Sequence, residues 1–267
     1  MGFYSNKLAL VTGASEGIGF AVVQALLTAG ADVVFTSRNL QKLQKAFNLL
    51  QVHKTHPEQK LYFKAFDVSD ATDCAAKLAE TIQEWGVPDL VINCAGLARP
   101  AYLIDETLTD FDAMLKTNLV GIVNVCRNVV PHLIKAGKGH IVNTASIAGF
   151  VGLFGYTGYC ASKYAVMGFS EALKRELKPY GVAVSVLCPP NTQTPGLLQE
   201  NLNKPIEILK TEEKIKPVTA DFVAQYLLKN IPKQKFYLIP TFDGRLTHFI
   251  SRHLPFVLES FVKRPAV

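Results

Sequence analysis

Short apolar runs alternate with longer stretches of mixed polarity along most of the chain. Each run is four to six residues long and rich in β-branched or aromatic side chains, and the stretches between runs are long enough for helices. The runs that predict strands are residues 7–12, 32–37, 61–66, 89–93, 140–145, 183–187 and 236–239. Near-continuous apolar strands separated by helices are typical of a parallel sheet covered on both faces. The pattern therefore predicts an α/β fold of the Rossmann type, a doubly wound seven-stranded parallel sheet flanked by helices.

The composition is that of a globular protein with a large core. The chain has 267 residues, of which 49% are hydrophobic, and it contains no linker, internal repeat or low-complexity segment. We therefore expect one domain over residues 1–267. The five cysteines are odd in number and widely spaced, and no secretory signal precedes the first strand, which predicts a cytoplasmic protein in a reducing compartment.

A glycine-rich turn follows the first strand, with the sequence Thr-Gly-Ala-Ser-Glu-Gly-Ile-Gly from residue 12 to 19. Glycines at 13, 17 and 19 allow a sharp turn, and an apolar-periodic helix begins directly after it. A helix N-terminus with exposed backbone N–H groups favours a diphosphate, so this turn predicts a dinucleotide-binding site. A structural connection between strand and helix is the alternative interpretation.

Tyr159 and Lys163 are the strongest candidates for chemistry. No helix breaker follows them for several turns, so they lie at positions i and i+4 on one helical face, with Ser146 thirteen residues upstream. An ammonium about 4 Å from a phenol lowers the phenol pKa by up to ~3 units, which would make tyrosine a usable acid–base group near neutral pH. The alternative is an ordinary pair of neighbours on a solvated helix face.

Taken in order, these motifs resemble those of the short-chain dehydrogenase/reductase family, and the resemblance runs over nearly the whole chain. The matching residues are Gly13, Gly17 and Gly19, then Asp67 and Val68 after the third strand, residues 93–96 after the fourth, and Asn118, Ser146, Tyr159 and Lys163. Residues 152–157 and 189–196 are similar in particular to 3-ketodihydrosphingosine reductases.

The resemblance implies roles for four side chains in carbonyl reduction. Tyr159 would donate a proton to the developing alkoxide, and Ser146 would hydrogen-bond the same oxygen. Lys163 would lower the phenol pKa and bind the nicotinamide ribose. Asn118 would hold a water that links Lys163 to solvent. We expect no metal site.

The resemblance also implies contacts to a nicotinamide cofactor. The expected cofactor-binding residues are Gly13, Ser15, Gly17, Ile18, Gly19, Arg38, Asp67, Val68, Asn93, Ala95, Gly96, Tyr159, Lys163, Pro189, Thr192 and Thr194. The second strand ends without a carboxylate and offers Arg38 instead, which can pair with a 2′-phosphate while Ser15 donates a second hydrogen bond to it. We therefore predict NADP(H), unless Arg38 is only a surface residue.

The substrate is predicted to be an apolar ketone or alcohol. Residues 147–154 carry no charge and, with Leu97, Leu197 and Leu198, are expected to surround the carbonyl, although the segment could instead pack on the core or a partner. Residues 195–217 are expected to form a lid over the substrate. The leading hypothesis is reduction of a long-chain 3-keto lipid by NADPH. The alternatives are a 3-oxoacyl reductase, a hydroxysteroid-like dehydrogenase, or an NADP(H)-binding scaffold or redox sensor without turnover.

Although the net charge is +6, the basic residues do not form the pattern typical of a nucleic-acid-binding protein, because no basic helix carries interleaved aromatic residues. Residues 242–267 combine apolar and basic side chains, which predicts either peripheral membrane contact or packing on a partner. Residues 111–134 and 164–177 have apolar positions beyond those needed to cover one sheet. Together with the resemblance, they predict a homodimer or homotetramer.

Overall fold

A seven-stranded parallel sheet forms the centre of the computed structural model, which describes residues 2–213 and 215–257. The strands are β1 (Leu8–Thr12), β2 (Asp32–Ser37), β3 (Leu61–Ala65), β4 (Leu90–Asn93), β5 (Gly139–Thr144), β6 (Val182–Leu187), β7 (Thr192–Gln193), β8 (Val218–Thr219) and β9 (Tyr237–Leu238). The sheet order is β3-β2-β1-β4-β5-β6-β9, and β7 pairs with β8 in a separate ribbon. This order is doubly wound, so the predicted fold class is confirmed.

Ten α-helices connect the strands of the described chain. They are α1 (Gly17–Thr28), α2 (Leu40–Leu50), α3 (Ala71–Trp85), α4 (Leu108–Leu115), α5 (Gly121–Ala136), α6 (Thr157–Leu177), α7 (Pro195–Asn203), α8 (Ile206–Glu212), α9 (Ala220–Asn230) and α10 (Phe242–His253). Polar side chains cap several helix starts; Asp70, for example, accepts hydrogen bonds from the backbone N–H groups of Thr72 and Asp73 at the start of α3.

The core lies on both faces of the sheet. Along β1, Ala9 and Val11 face one apolar cluster with α1 and α9, whereas Leu10 faces the other with α3, α5 and α6. Successive side chains of a strand point to opposite faces, so a strand buried on both sides must be apolar throughout. This explains the uninterrupted apolar runs in the sequence.

The chain from α4 to α5 is almost continuously helical, with one irregular turn. Residues Lys116–Val120 form a π-helical turn between the two helices, and Asn118 lies within it. Such turns insert an extra residue and are frequent at functional sites. Here the turn directs the fully buried Asn118 side chain towards Leu97 and α6.

The central strands end along one line. Thr12 of β1 is paired in register with Asn93 of β4, and Thr144 of β5 with Leu187 of β6. Because parallel strands share one direction, the loops that follow them all leave from the same edge of the sheet. The glycine-rich turn and the segments after β4, β5 and β6 therefore meet there.

The chain beyond β6 covers this edge. Helices α7 and α8 lie within the predicted lid, residues 195–217, and α10 packs near the loop after β5, where the Phe150 and His248 rings are 5.0 Å apart. No helix among the described residues has the length and apolar character needed to cross a membrane. Of the predicted C-terminal tail, residues 258–267 lie outside the described residues.

A substitution at Gly19 tests the packing of α1 on the sheet. A Cβ at this position would lie 2.5 Å from the Gly13 carbonyl oxygen and 2.8 Å from the Ala14 Cα, and backbone atoms cannot move aside cheaply. We expect Gly19→Ala to lower the free energy of unfolding by about 1–3 kcal/mol, measured by urea denaturation. The matched control is Gly168→Ala at an exposed position of helix α6, where a Cβ meets no atom within 4 Å. It should be neutral or stabilise by up to ~1 kcal/mol. Equal stability of the two variants would contradict this account.

Candidate active site

A cleft of about 1120 Å³ lies at the carboxyl edge of the sheet. It runs from the end of β2, across the glycine-rich turn and the ends of β4 and β5, to the segment that contains α7 and α8. Of the expected site residues, those that line it are Gly13, Ser15, Gly17, Ile18, Gly19, Arg38, Asp67, Val68, Ala95, Gly96, Ser146, Tyr159, Lys163, Pro189, Thr192 and Thr194. The structure thus brings together residues that are up to 181 positions apart in the sequence, from 13 to 194.

The glycine-rich turn holds its backbone against the floor of the cleft. Gly13 has φ +64°, and a Cβ there would lie 2.5 Å from the backbone of Ala95, so only glycine fits. Gly17, at the start of α1, has φ +63°. The N-terminus of α1 faces the cleft, which gives it the partial positive charge and N–H donors that bind a diphosphate. A nicotinamide dinucleotide therefore fits this cradle.

The end of the cleft beside β2 is rich in hydroxyl and cationic groups. The Ser15 hydroxyl donates to the Ser37 hydroxyl over 3.1 Å, and the Arg38 guanidinium lies 4.0 Å from the Asp67 carboxylate. Lys42 also lines the cleft, where its ammonium contacts Glu16 at 2.8 Å. These groups suit an anion, and Lys42 was not anticipated from the sequence.

Tyr159 and Ser146 meet at the other end of the cleft. Both side chains line the cleft, where the loop after β5 positions Ser146 and the first turn of α6 positions Tyr159. Burial is the largest influence on the Tyr159 phenol and raises its pKa well above the ordinary value, whereas the neighbouring Ser146 side chain lowers this pKa to a smaller extent. The phenol is therefore protonated at neutral pH and able to donate.

Lys163 lies one helical turn beyond Tyr159 and is almost completely buried. Its ammonium donates to the Thr144 carbonyl oxygen at 3.0 Å and lies 5.6 Å from the centre of the Tyr159 ring. Burial lowers the pKa of Lys163 to about 8. Burial is the largest influence on the Tyr159 pKa in this arrangement, and the predicted lowering of that pKa by Lys163 stays a prediction.

Asn118 and Asn93, the other two expected site residues, do not line the cleft. Asn118 exchanges two hydrogen bonds with the Leu97 backbone and donates to the Ser162 hydroxyl, all at 2.8–2.9 Å. Asn93 is buried inside the sheet and donates to Asn143 at 2.9 Å. Asn118 thus supports the floor of the cleft from behind. The Asn93 side chain points into the core of the sheet, and a contact of Asn93 with the cofactor stays a prediction.

The substrate end of the cleft is more polar than the sequence predicted. Of residues 147–154, only Leu153 lines the cleft, because Ala148, Gly149 and Val151 are buried in the core. Leu97 and Leu197 line it as expected, but Leu198 points away and is 69% exposed. The alternative that this apolar segment packs on the core is therefore the one the structure favours.

Sequence reasoning missed a group of polar side chains that faces the same end of the cleft. Tyr156, Glu200, Lys204 and Glu212, here called the lid network, join the start of α6 to helices α7 and α8. The spacing of Glu200 and Lys204 on one helix was a usable signal. The contacts of Tyr156 span 44 and 56 residues and had no local signature.

The comparison with protein families agrees with this geometry. The family model described as short chain dehydrogenase matches residues 7–205. The chain belongs to this family. Among relatives of the protein, the 3-ketodihydrosphingosine reductase of Bos taurus is 33% identical over 228 residues, which cover 85% of this chain and 69% of that protein. The corresponding reductase of Dictyostelium discoideum is 33% identical over 271 residues, covering 96% and 81%.

Other members of the short chain dehydrogenase family are also similar. A 3-oxoacyl-[acyl-carrier-protein] reductase of Chlamydia trachomatis is 34% identical over 188 residues, covering 70% of this chain and 75% of that protein. The crystal structure of a short chain dehydrogenase/reductase from Burkholderia phymatum in complex with NAD superposes with a TM-score of 0.84 at 23% identity, covering 100% and 99% of the two chains. That structure supports the fold. The first two relatives confirm that the chain is most similar to 3-ketodihydrosphingosine reductases.

Proposed function

We propose that the protein is an NADPH-dependent reductase of a long-chain apolar ketone, with a 3-keto lipid such as 3-ketodihydrosphingosine as the leading candidate. The observation that carries this proposal is one cleft that holds a glycine-rich dinucleotide cradle at one end and the Ser146–Tyr159–Lys163 group at the other. Sequence similarity to 3-ketodihydrosphingosine reductases supports the substrate class.

In this proposal the side chains bind and protonate the ketone. A bound nicotinamide supplies hydride to the carbonyl carbon. Ser146 holds the carbonyl oxygen, and the neutral Tyr159 phenol donates its proton to that oxygen as negative charge develops there. Lys163, already desolvated beneath the cleft, stabilises the phenolate that remains. Asn118 fixes the Leu97 segment behind the site, and we assign it a supporting role in a proton path from Lys163.

Cofactor selection is assigned to the end of the cleft beside β2. Ser15, Ser37 and Arg38 line this end, and the Thr36 hydroxyl is buried there without a partner among the described residues. Hydroxyl donors and a guanidinium are the groups that recognise a phosphate, so they favour the 2′-phosphate of NADP(H) over the bare ribose of NAD(H).

Two other activities are alternatives to the reduction of a 3-keto lipid. The similarity to 3-oxoacyl-[acyl-carrier-protein] reductases favours a 3-oxoacyl thioester as a second substrate class. A hydroxysteroid-like activity has only the shared fold behind it. A scaffold or redox sensor would not need Ser146, Tyr159 and Lys163 together in one cleft, which is why we place it last.

Assembly and membrane contact are proposed from exposed apolar surface. Val120 and Tyr164, on the two helices expected to pair, are 38% and 47% exposed, which supports a homodimer or homotetramer.

On and after α10, Phe242, Phe249 and Phe256 are more than half exposed. With the nearby arginines they suit peripheral contact with an anionic bilayer.

Replacement of Tyr159 by Phe tests the catalytic assignment. Wild-type protein should oxidise NADPH with long-chain 3-ketones, and Tyr159→Phe should lower turnover by at least ~10²-fold because the proton donor is gone while ring packing remains. Cofactor affinity should stay nearly unchanged. Tyr180→Phe, an exposed tyrosine far from the cleft, is the control. If wild-type protein binds NADPH but reduces no ketone in a panel of 3-ketones, 3-oxoacyl thioesters and steroids, the scaffold alternative is favoured.

Arg38→Asp tests cofactor selection. The carboxylate repels a 2′-phosphate and can accept hydrogen bonds from ribose hydroxyls, so the ratio of NADPH to NADH dissociation constants should rise by more than about 10-fold. Lys45→Asp, an exposed site on α2 that does not line the cleft, makes the same charge change and should leave the ratio unaltered. An unmoved ratio in Arg38→Asp would show that Arg38 is only a surface residue.

Liposome flotation tests the membrane proposal. The full-length chain should bind vesicles that contain anionic lipid, and replacement of Phe249 and Phe256 by Ser should abolish binding because half or more of each ring is exposed. Sedimentation should show the same oligomer for both proteins, because these residues lie outside the helices expected to pair. No binding by wild-type protein would remove the membrane proposal, and a monomer at micromolar concentration would remove the oligomer proposal.

A further inference from the structure

The lid network is a buried set of ionic contacts that faces the cleft. The Lys204 side chain has no exposed surface, and its ammonium lies 3.0 Å from Oε1 of Glu200 and 2.7 Å from Oε2 of Glu212. The Tyr156 hydroxyl, which has a single proton to share, lies 2.7 Å from Oε1 of Glu200 and 2.9 Å from Oε1 of Glu212. The Asn191 amide donates to Glu212 at 3.3 Å. Tyr156, Glu200 and Glu212 all line the cleft.

The charges of this network do not cancel. Two carboxylates face one ammonium, and the tyrosine and the amide are neutral, so the network carries a net charge of −1 in a largely desolvated place. A carboxylate has about four acceptor positions, so Glu200 keeps acceptor capacity beyond the two bonds made to its Oε1. The network is therefore able to bind one more donor, and a cation would suit it best.

Apart from Lys163, which is turned towards Thr144, no other group at this end of the described cleft offers a cation to the network. The buried carboxyl oxygens of Glu106 line the cleft without a side-chain partner among the described residues, and burial raises the pKa of this group, which favours its neutral form. The nearby Arg99 is engaged by Asp110. The cations Arg38 and Lys42 lie at the opposite end, beside β2. One cleft thus has a cationic end for phosphate and an acidic end for substrate.

The acidic end lies next to the proposed proton donor. The rings of Tyr156 and Tyr159 are 6.0 Å apart. The Glu200 charge raises the Tyr159 pKa, and only burial and the Ser146 side chain influence that pKa more strongly. Negative charge here opposes the phenolate that forms when Tyr159 donates its proton. A positive group bound against Glu200 would cancel that effect during turnover.

We propose that Glu200, positioned by Lys204 and Tyr156, is a specificity-determining residue that binds an ammonium group on the carbon next to the substrate ketone. This inference rests on the proposed function, because the ketone oxygen is taken to lie at Ser146 and Tyr159. Because the rings of Tyr156 and Tyr159 are 6.0 Å apart, a ketone held at Tyr159 lies beside the lid network, and we therefore place the cation close to the carbonyl. Substrates without such a cation, 3-oxoacyl thioesters among them, lack this contact and meet uncompensated negative charge.

Two matched ketones distinguish a failure of this inference from a failure of the proposed function. We would measure kcat/KM for a long-chain 2-amino-3-ketone and for the same 3-ketone without the amino group. Wild-type protein should prefer the amino ketone by at least about 10-fold, the effect of a charge-assisted hydrogen bond. Glu200→Gln should lower kcat/KM for the amino ketone by about 10- to 100-fold, and it should leave kcat/KM for the plain ketone unchanged or raise it, because the variant removes negative charge that the plain ketone does not compensate. Retained turnover of the plain ketone also shows that the variant is folded.

Glu213→Gln is the matched control, because this exposed carboxylate is next to Glu212 but does not line the cleft. It should keep the wild-type preference. Equal kcat/KM of wild-type protein for the two ketones, or equal losses for both ketones in Glu200→Gln, would overturn the assignment of Glu200 while leaving the proposed reductase intact. Turnover of neither ketone by wild-type protein would instead contradict the proposed function, and the inference with it.

Discussion

Burial of the Lys163 ammonium is the constraint on which the candidate site depends. A charged group beneath a sheet edge is costly unless it finds an acceptor, and Lys163 finds the carbonyl of Thr144 at the end of β5. That contact fixes the height of α6 above the sheet. It therefore also fixes Tyr159, one turn earlier on the same helix.

Small residues make room for this arrangement. A Cβ at Gly149 would lie 3.0 Å from the Lys163 carbonyl oxygen, and one at Gly96 would lie 3.1 Å from Oδ1 of Asn118 and 3.6 Å from Nζ of Lys163. Larger side chains at either position would push α6 or Asn118 away from the floor of the cleft. The two glycines thus belong to the site although neither carries a reactive group.

The sequence predicted the sheet well because its signals are local. The strands β1 to β6 begin and end within one residue of the predicted apolar runs, since a strand buried on both faces leaves a continuous apolar signature. The glycine-rich turn was equally predictable, because positive φ at Gly13 and the close approach of Ala95 require glycine. Ser146, Tyr159 and Lys163 were found through their spacing and the family resemblance.

Properties that depend on distant contacts were not predictable. The direction of the Asn93 and Asn118 side chains depends on partners 50 and 44 residues away, Asn143 and Ser162. Residues 147–154 were expected to form a substrate pocket, but Ala148, Gly149 and Val151 are buried in the core, and residues 152–154 are exposed with only Leu153 lining the cleft. The lid network required α7 and α8 to fold back over the start of α6, and the residual negative charge at this end follows from that fold.

The central claim is that Ser146 and Tyr159 hold a ketone in one orientation within this cleft. The stereochemistry of the product tests this claim most directly. Chiral chromatography of the alcohol formed from a long-chain 3-ketone and NADPH measures it. The account predicts a single enantiomer in a one-to-one ratio with NADPH consumed, because Ser146 and Tyr159 would hold the carbonyl in one orientation, so that hydride reaches only one face of its carbon. A racemic alcohol, or no alcohol from a protein that binds NADPH tightly, would contradict it.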